Sequence, residues 1–237
     1  HEAIKAFGSY LKDNAEPAPR RDALYMLGMS YYRTGVYSQV PVTLGEVTAN
    51  KDALTQNAYL HMGLAYLQLA DKNKARMAFE QAAASDADLK IKEQASYNNA
   101  LCIHETSYSA FGESVTVFEN FLNEFPNSAY ADKVSSYLIE VYMNTRSYDA
   151  ALKSIERITH PGRAILEAKQ KILFQLGTQS FANTQFEQAI GCFNQSIALG
   201  GYNLQTKADA LYWRGESYYR LNRMQEAARN FNDYLSL

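Results

Sequence analysis

The sequence predicts an all-α fold, a right-handed superhelical solenoid of about 13 helices that pair into helix-turn-helix repeats. The main observation is a recurring helix: residues 22–33 (DALYMLGMSYYR) return as residues 209–220 (DALYWRGESYYR) with nine identities, 187 positions later. The composition agrees, because 237 residues with only 12 Gly and 5 Pro have too few turn-formers for a many-turned β fold.

Weaker copies of the same helix lie between these two. When the copies are aligned, one anchor position recurs at intervals of 35, 37, 39, 38 and 38 residues. A fixed period of this length indicates stacked supersecondary units. The anchor is small in five of the six copies, and Ile139 makes the fourth repeat the most divergent. The six anchors are Gly28, Gly63, Ala100, Ile139, Gly177 and Gly215.

A second amphipathic segment follows each anchor helix. In the clearest cases a small residue precedes a large apolar residue by four positions, as in Ala75 with Phe79 and Ala189 with Phe193. This spacing puts both residues on one helical face, where the small one admits a neighbouring helix and the large one fills the gap. Two short helices cannot bury their apolar faces alone, so neighbouring repeats are expected to stack.

The pattern divides the chain into a lone second-type helix, at about 2–13, and six hairpins. Thr184 and Glu187 predict a capping box at the start of one second helix. A chain that opens on half a repeat, and stops without a polar capping helix, is expected to be a fragment. The predicted segments are 1–18 for the truncated repeat, then 19–51, 52–87, 88–127, 128–161, 162–201 and 202–237 for repeats one to six.

The motifs resemble the tetratricopeptide repeat. Leu24-x-x-Leu27-Gly28-x-x-Tyr31 is similar to the first half of that repeat, and Ala75-x-x-x-Phe79 to its second half. The resemblance covers nearly the whole chain and implies a protein-binding solenoid. Residues 210–235 and 121–134 also resemble, in style, repeats of bacterial envelope proteins of the Tol-Pal coordinator and outer-membrane assembly lipoprotein type. That likeness implies a periplasmic or envelope location, with the cytoplasm as the alternative.

Charge and hydropathy argue against several other classes of protein. The 23 Lys+Arg against 25 Asp+Glu give a net charge of −2, which lacks the basic face that nucleic acids or anionic lipids require. No apolar run approaches the roughly 18 residues of a membrane-spanning helix, so we expect no span in this segment.

The residues also lack a recognisable catalytic, metal or cofactor constellation. His61 and His104 occur without a metal-ligand spacing, and Cys102 and Cys192 lie two repeats apart, too far for a disulfide in a solenoid. A carboxylate series, Glu113, Glu119 and Glu124, has the spacing of a solvated helix face. We therefore predict no enzyme activity, no metal and no cofactor.

The informative surface is a stripe on the first helices. With the anchor as position 8, positions 5, 9 and 12 share one face, and most of the residues there are apolar or aromatic. They either pack against one another inside a tight superhelix or form an exposed groove for a partner. The candidate groove residues are Tyr25, Met29, Tyr32, Tyr97, Phe174, Phe181, Tyr212, Glu216, Tyr219 and, beside them, Arg220.

Three functions remain open at this point. The leading hypothesis is a non-catalytic scaffold that binds a protein, peptide or helix in the aromatic groove, as part of a larger bacterial envelope protein. The second is an accessory segment of a larger enzyme or transporter, and the third is a module that binds a glycan or another ligand. The sequence leaves the partner and the oligomeric state undetermined.

Overall fold

The computed structural model describes residues 1–107, 112–145 and 147–237, which form helices and no strand. The prediction of an all-α fold is confirmed, including a first helix at 2–13. Residues 108–111 of the predicted repeat 88–127, and residue 146 of the repeat 128–161, lie outside the described residues. The thirteen helices of the described ranges are α1 (Glu2–Asp13), α2 (Pro17–Arg33), α3 (Gln39–Gly45), α4 (Ala53–Gln68), α5 (Lys72–Ala83), α6 (Leu89–Thr106), α7 (Glu113–Glu124), α8 (Ala131–Asn144), α9 (Tyr148–Glu156), α10 (Arg163–Ala182), α11 (Phe186–Ala198), α12 (Leu204–Arg220) and α13 (Met224–Leu235).

The helices form two compact units, His1–Val117 and Phe118–Leu237, with the boundary inside α7. From α1 to α6 in the first unit, and from α8 to α13 in the second, each helix packs against the next one in the chain. In the second unit, for example, Ala189 and Phe193 of α11 share a buried cluster with Ala210 of α12. Burial of apolar faces between consecutive hairpins is what stabilises a repeat fold, because one hairpin alone cannot cover its own core.

The glycine anchors are the points where the two helices of a hairpin meet. A Cβ at Gly63 would lie 2.5 Å from Cε1 of Phe79, and a Cβ at Gly177 would lie 2.5 Å from Cε1 of Phe193. A Cβ at such a distance would force the ring to shift, so glycine is favoured where the aromatic ring of the second helix packs on the first. These glycine anchors are therefore packing positions. The same contact joins Gly28 to Leu44 and Gly215 to Phe231.

The turn inside four hairpins contains one residue with a left-handed backbone. In the α10–α11 turn this residue is Thr184, with φ of 60°, and the next N–H, that of Gln185, donates to the Ser180 carbonyl at 2.9 Å. This bond closes the C-terminus of α10. The predicted capping box is therefore wrong: the N-cap of α11 is Gln185, without a side-chain cap, because Thr184 belongs to the turn. The equivalent residues are Gly35, Ala70 and Asn222.

Buried glutamines fix the connection between successive hairpins. The amide nitrogen of Gln56 on α4 donates to the Ser85 carbonyl at 2.6 Å, and its amide oxygen accepts from the N–H of Asp88 at 2.8 Å. Gln170 on α10 exchanges two bonds of 2.9 Å with the backbone of Asn203. Asp88 and Asn203 are the N-caps of the following first helices. Each glutamine thus satisfies buried polar groups while setting where the next repeat starts.

Arg21 performs the same task for the first hairpin. Its guanidinium donates to both carboxylate oxygens of Asp52 at 2.8 and 2.9 Å, and to the Val47 carbonyl at 3.0 Å. Asp52 in turn caps α4 by accepting from the N–H of Thr55 at 2.9 Å. Hydrogen bonds from Arg21 and Thr55 favour the ionised carboxylate and hold the pKa of Asp52 at about 2.

One carboxylate of the predicted solvated series is in fact buried. Glu119 is 2% exposed, and one of its oxygens accepts a bond of 2.8 Å from Nε of Arg157 on the chain segment after α9. The hydroxyl of Ser154 donates to the other oxygen. The expectation of a solvated face is wrong for Glu119 because α9 covers it, whereas Glu113 and Glu124 are exposed.

Candidate functional site

In the first unit, the predicted stripe residues mostly lie inside the packing. Met29 and Tyr97 are only 9% and 7% exposed, so neither offers much surface to a partner. Tyr25 is half-buried, and its hydroxyl accepts a hydrogen bond from the Asn57 amide of the next first helix. These three positions contribute to the contact between neighbouring helices of the unit.

Tyr32 packs in a small aromatic group. Its ring lies edge-on to Tyr37, at 5.8 Å between centroids, and to His61 of the following first helix, at 5.0 Å. Burial raises the pKa of the Tyr32 hydroxyl and lowers the pKa of the His61 imidazole. Both groups are therefore neutral at pH 7 and pack as aromatic rings.

In the second unit, aromatic rings of α10 contact rings of the neighbouring helices, and those around Phe181 form a connected series that reaches α12. Phe174 packs at 5.9 Å from Phe193. Phe181 lies 5.3 Å from Phe186 and 5.0 Å from Trp213 of α12, in both cases edge-on. Trp213 follows the stripe residue Tyr212 in the sequence, and in the structure it links the two first helices.

The series ends on the exposed surface of the last hairpin. Tyr212 is 39% exposed and lies 5.6 Å from Trp213 and 5.7 Å from both Phe231 and Tyr234 of α13. Two turns further along α12, Tyr219 is 54% exposed. We call Phe181, Tyr212, Trp213, Tyr219 and Tyr234 the aromatic surface. Glu216, half-buried, and Arg220, exposed, lie on the same helix as its central members.

Sequence reasoning missed the environment of Arg214. The residue is half-buried, its Nε donates to the Asn230 side chain at 2.6 Å, and its Nη1 donates to the Asn194 side chain at 2.7 Å. Burial lowers the pKa of its guanidinium. The signal was present, because Arg214 stands at a position that other repeats fill with Leu27, Met62 or Leu176, but the pairing asparagines come from two separate helices.

Metal-ligating and nucleophilic side chains are sparse among the described residues. Among the described residues, no three His, Cys, Asp or Glu side chains are grouped as metal ligands. Cys102 and Cys192 are free thiols, and burial raises the pKa of Cys102 to about 11, so it is protonated at neutral pH. No helix within 1–107, 112–145 and 147–237 has both the length and the apolar character to span a membrane.

Two segments match family models of the tetratricopeptide repeat: residues 56–89 in the first unit and residues 174–236 in the second. The chain therefore carries tetratricopeptide repeats in both units. The second match takes in the C-terminal part of α10, from residue 174, together with α11, α12 and α13, and so contains all five residues of the aromatic surface.

Three solved structures are among those to which this chain is similar. The complex of Naa15/Naa10 bound to HypK-THB shares 17% identity at a TM-score of 0.49, over 98% of this chain and 34% of that one. The C-terminal part of a TPR repeat-containing protein from Cytophaga hutchinsonii shares 14% identity at a TM-score of 0.47, over 100% of this chain and 89% of that one. PilF from Pseudomonas aeruginosa shares 15% identity at a TM-score of 0.40, over 89% of this chain and 88% of that one. The chain thus spans about a third of the first structure's length. A search of curated proteins found no match.

Proposed function

We propose that this chain is a non-catalytic interaction scaffold that binds a peptide or helix of a partner protein on the aromatic surface of the second unit. Tetratricopeptide repeats are commonly protein-interaction scaffolds, and both units carry such repeats. The observation that carries the proposal is the continuous contact from Phe181 through Trp213 to the exposed ring of Tyr212.

Rings held in this way suit a binding site because their conformations are already fixed. Trp213 and the neighbouring rings restrict Tyr212, so a partner that covers Tyr212 has little side-chain entropy to remove. Tyrosine, tryptophan and arginine are the residues that most often dominate the binding energy of protein interfaces. Tyr219 and Arg220 extend the surface with one further ring and one cation.

The experiment compares the parent chain with the double variant Tyr212→Ala, Tyr219→Ala. The partner is isolated by cross-linking pull-down with the parent and then titrated in purified form. We expect the double variant to bind at least about 2 kcal/mol more weakly, roughly 30-fold in Kd, with unchanged helicity by circular dichroism.

Tyr10→Ala is the matched control, since Tyr10 is an equally exposed tyrosine, at 40%, in the first unit. Equal affinity of the double variant and the parent would reject the aromatic surface as the site. Loss of helicity together with binding would assign the tyrosines a packing role. Binding of a glycan in place of a protein, on an array, would favour the ligand-binding alternative.

The setting of the scaffold is part of the same proposal. The style of residues 210–235 and 121–134 supports a larger bacterial envelope protein. An accessory segment of a larger enzyme or transporter is the alternative function, and the cytoplasm is the alternative location. Fractionation of cells that express the full-length protein distinguishes the two locations, because an envelope protein is released with the periplasm or retained with membranes, whereas a cytoplasmic protein is recovered in the soluble cell extract.

A further inference from the structure

A groove lies between α4 and α5 in the first unit, away from the stripe residues. It encloses about 490 Å³ and is lined by Tyr59, Met62, Tyr66, Met77, Ala78 and Gln81, with Lys74 and Glu80 at its margin. A second hollow of about 470 Å³ also begins at Tyr59 and Gln81 and continues to Asn50 and Lys51. We call the two together the α4–α5 groove.

The groove exists because one face of α4 is incompletely covered. Tyr59, Met62 and Tyr66 follow the three- and four-residue spacing of a single helical face, and all three are half-buried. The residues in the same register on α10, relative to its glycine anchor, are all buried: Leu173, Leu176 and Ser180. This face is therefore covered on α10, whereas on α4 the same face leaves an apolar surface accessible.

The opposite wall of the groove is also apolar and accessible. Met77 on α5 is 66% exposed, an unusual state for a large apolar side chain. Methionine adapts its shape to different contacts, and tyrosine offers a ring with a polar tip; both are enriched in protein interfaces. A volume of this size accommodates one or two large apolar side chains of a ligand.

The charges around the groove leave one cation unpaired. Glu80 is bound by Arg76 at 2.8 Å, and Lys74 is bound to Asp71 at 3.1 Å. The Asp52 carboxylate in the second hollow is taken by Arg21. Lys51 has no ion-pair partner among the residues that the structure describes. The groove thus combines an apolar end near Met62 with a cationic end at Lys51.

The distance between the two ends sets the length of the ligand. Ala53, the first residue of α4, and Met62 are nine residues apart, about 14 Å at roughly 1.5 Å per residue, and Lys51 lies two residues before Ala53. An extended peptide covers that distance in about five residues.

We propose that the α4–α5 groove binds an extended acidic segment of a partner protein. The segment places a large apolar side chain against Tyr59, Met62 and Met77, and it places a carboxylate about five residues away on Lys51. This site lies in the first unit and is independent of the aromatic surface of the second unit.

The test begins with a random dodecapeptide library displayed on phage and selected against the 237-residue chain. We expect enriched sequences to pair an aromatic or large aliphatic residue with Asp or Glu four to six positions away. A fluorescein-labelled peptide of the enriched sequence is then titrated by anisotropy against variants. Met77→Ser and Lys51→Glu should each weaken binding at least tenfold, and higher salt should reduce the effect of Lys51→Glu.

Matched controls exist in the same unit. Val42 on α3 is 64% exposed at the equivalent register to Met77 and lies outside the groove, so Val42→Ser should leave Kd within twofold. Lys90→Glu is the matched control for Lys51→Glu, because it makes the same change of charge outside the groove, and it should likewise leave Kd within twofold. A peptide with Lys in place of its acidic residue should regain affinity for the Lys51→Glu chain. The double variant Tyr212→Ala, Tyr219→Ala should bind the acidic peptide like the parent.

Several results would overturn the proposal. They are the absence of any enriched peptide, binding that survives Met77→Ser, and binding that Val42→Ser reduces as much as Met77→Ser does. Binding insensitive to Lys51→Glu would remove the acidic character of the ligand. Sedimentation velocity tests whether the groove instead binds a second copy of this chain. Self-association that Met77→Ser abolishes would assign the groove to that second copy.

Discussion

The ring of Trp213 stands edge-on to the ring of Phe181, with 5.0 Å between centroids and 68° between planes. Tyr32 and His61 of the first unit repeat the relationship at 5.0 Å and 86°. In both pairs, a residue four positions after one anchor meets a residue two positions before the next anchor. Edge-to-face contacts add roughly 0.5–1.5 kcal/mol beyond the area they bury. A shared aromatic contact therefore joins successive first helices in each unit.

We expect Phe181→Ala to destabilise the second unit by about 2 kcal/mol, below the value for a fully buried ring because Phe181 is half-buried. Trp213 is the only tryptophan of the chain, so its fluorescence reports this contact directly. In Phe181→Ala, the emission of native Trp213 should shift to longer wavelength, and the midpoint of urea unfolding should fall. Tyr219→Ala, at an exposed site on α12, is the control. An unchanged emission maximum in Phe181→Ala would contradict the contact.

We expect Gly63→Ala to lower the free energy of unfolding by about 1–3 kcal/mol, because the new Cβ meets the Phe79 ring. Gly191 lies inside α11 with no atom near its missing Cβ, so Gly191→Ala should instead stabilise by about 0.5–1 kcal/mol. Thermal unfolding of the two variants measures whether each substitution raises or lowers the stability of the chain. Two variants that change stability in the same direction would contradict the packing assignment.

We expect Thr184→Gly to stabilise the second unit by about 0.5–1 kcal/mol. A β-branched residue is strained at φ of 60°, and glycine removes the clash at a smaller entropic cost. Thr178→Gly, in the interior of α10, should destabilise the second unit by a similar amount, because a glycine in a helix interior loses more backbone conformational entropy on folding than a threonine does. The melting temperatures of the two variants and the parent test both expectations. A lower melting temperature for Thr184→Gly than for the parent would reject the left-handed turn.

We expect the Asp52 carboxyl to titrate at about pH 2 in the folded chain, below its ordinary value of 3.8. Its folded pKa is lowered, so its contribution to stability is complete above about pH 4 and is lost as the pH falls towards 2. Carboxyl NMR measures the titration directly. Arg21→Gln should move the midpoint back towards the ordinary value. A midpoint near 4 in the parent would mean that the Arg21 pair does not form in solution.

Much of this architecture could be predicted because its signals are local or periodic. The first helix at 2–13 and the packing role of Gly63 follow from spacing alone, since a residue's face on a helix depends only on its position in the chain. The capping box at Thr184 failed because two local signals compete there. The same residue can start a helix or close the preceding one, and the turn geometry decides.

The candidate site depended much more on tertiary structure. The sequence alone determined that Met29, Tyr97, Tyr212 and Tyr219 belong to equivalent stripe positions. Only the structure decided that the first two are buried and the last two exposed. Likewise, the sequence could not show that Gln56 would hold the connection to α6 or that Met77 would border an open groove. The physical reason is that periodicity fixes which face a side chain is on, whereas burial depends on which distant element covers that face.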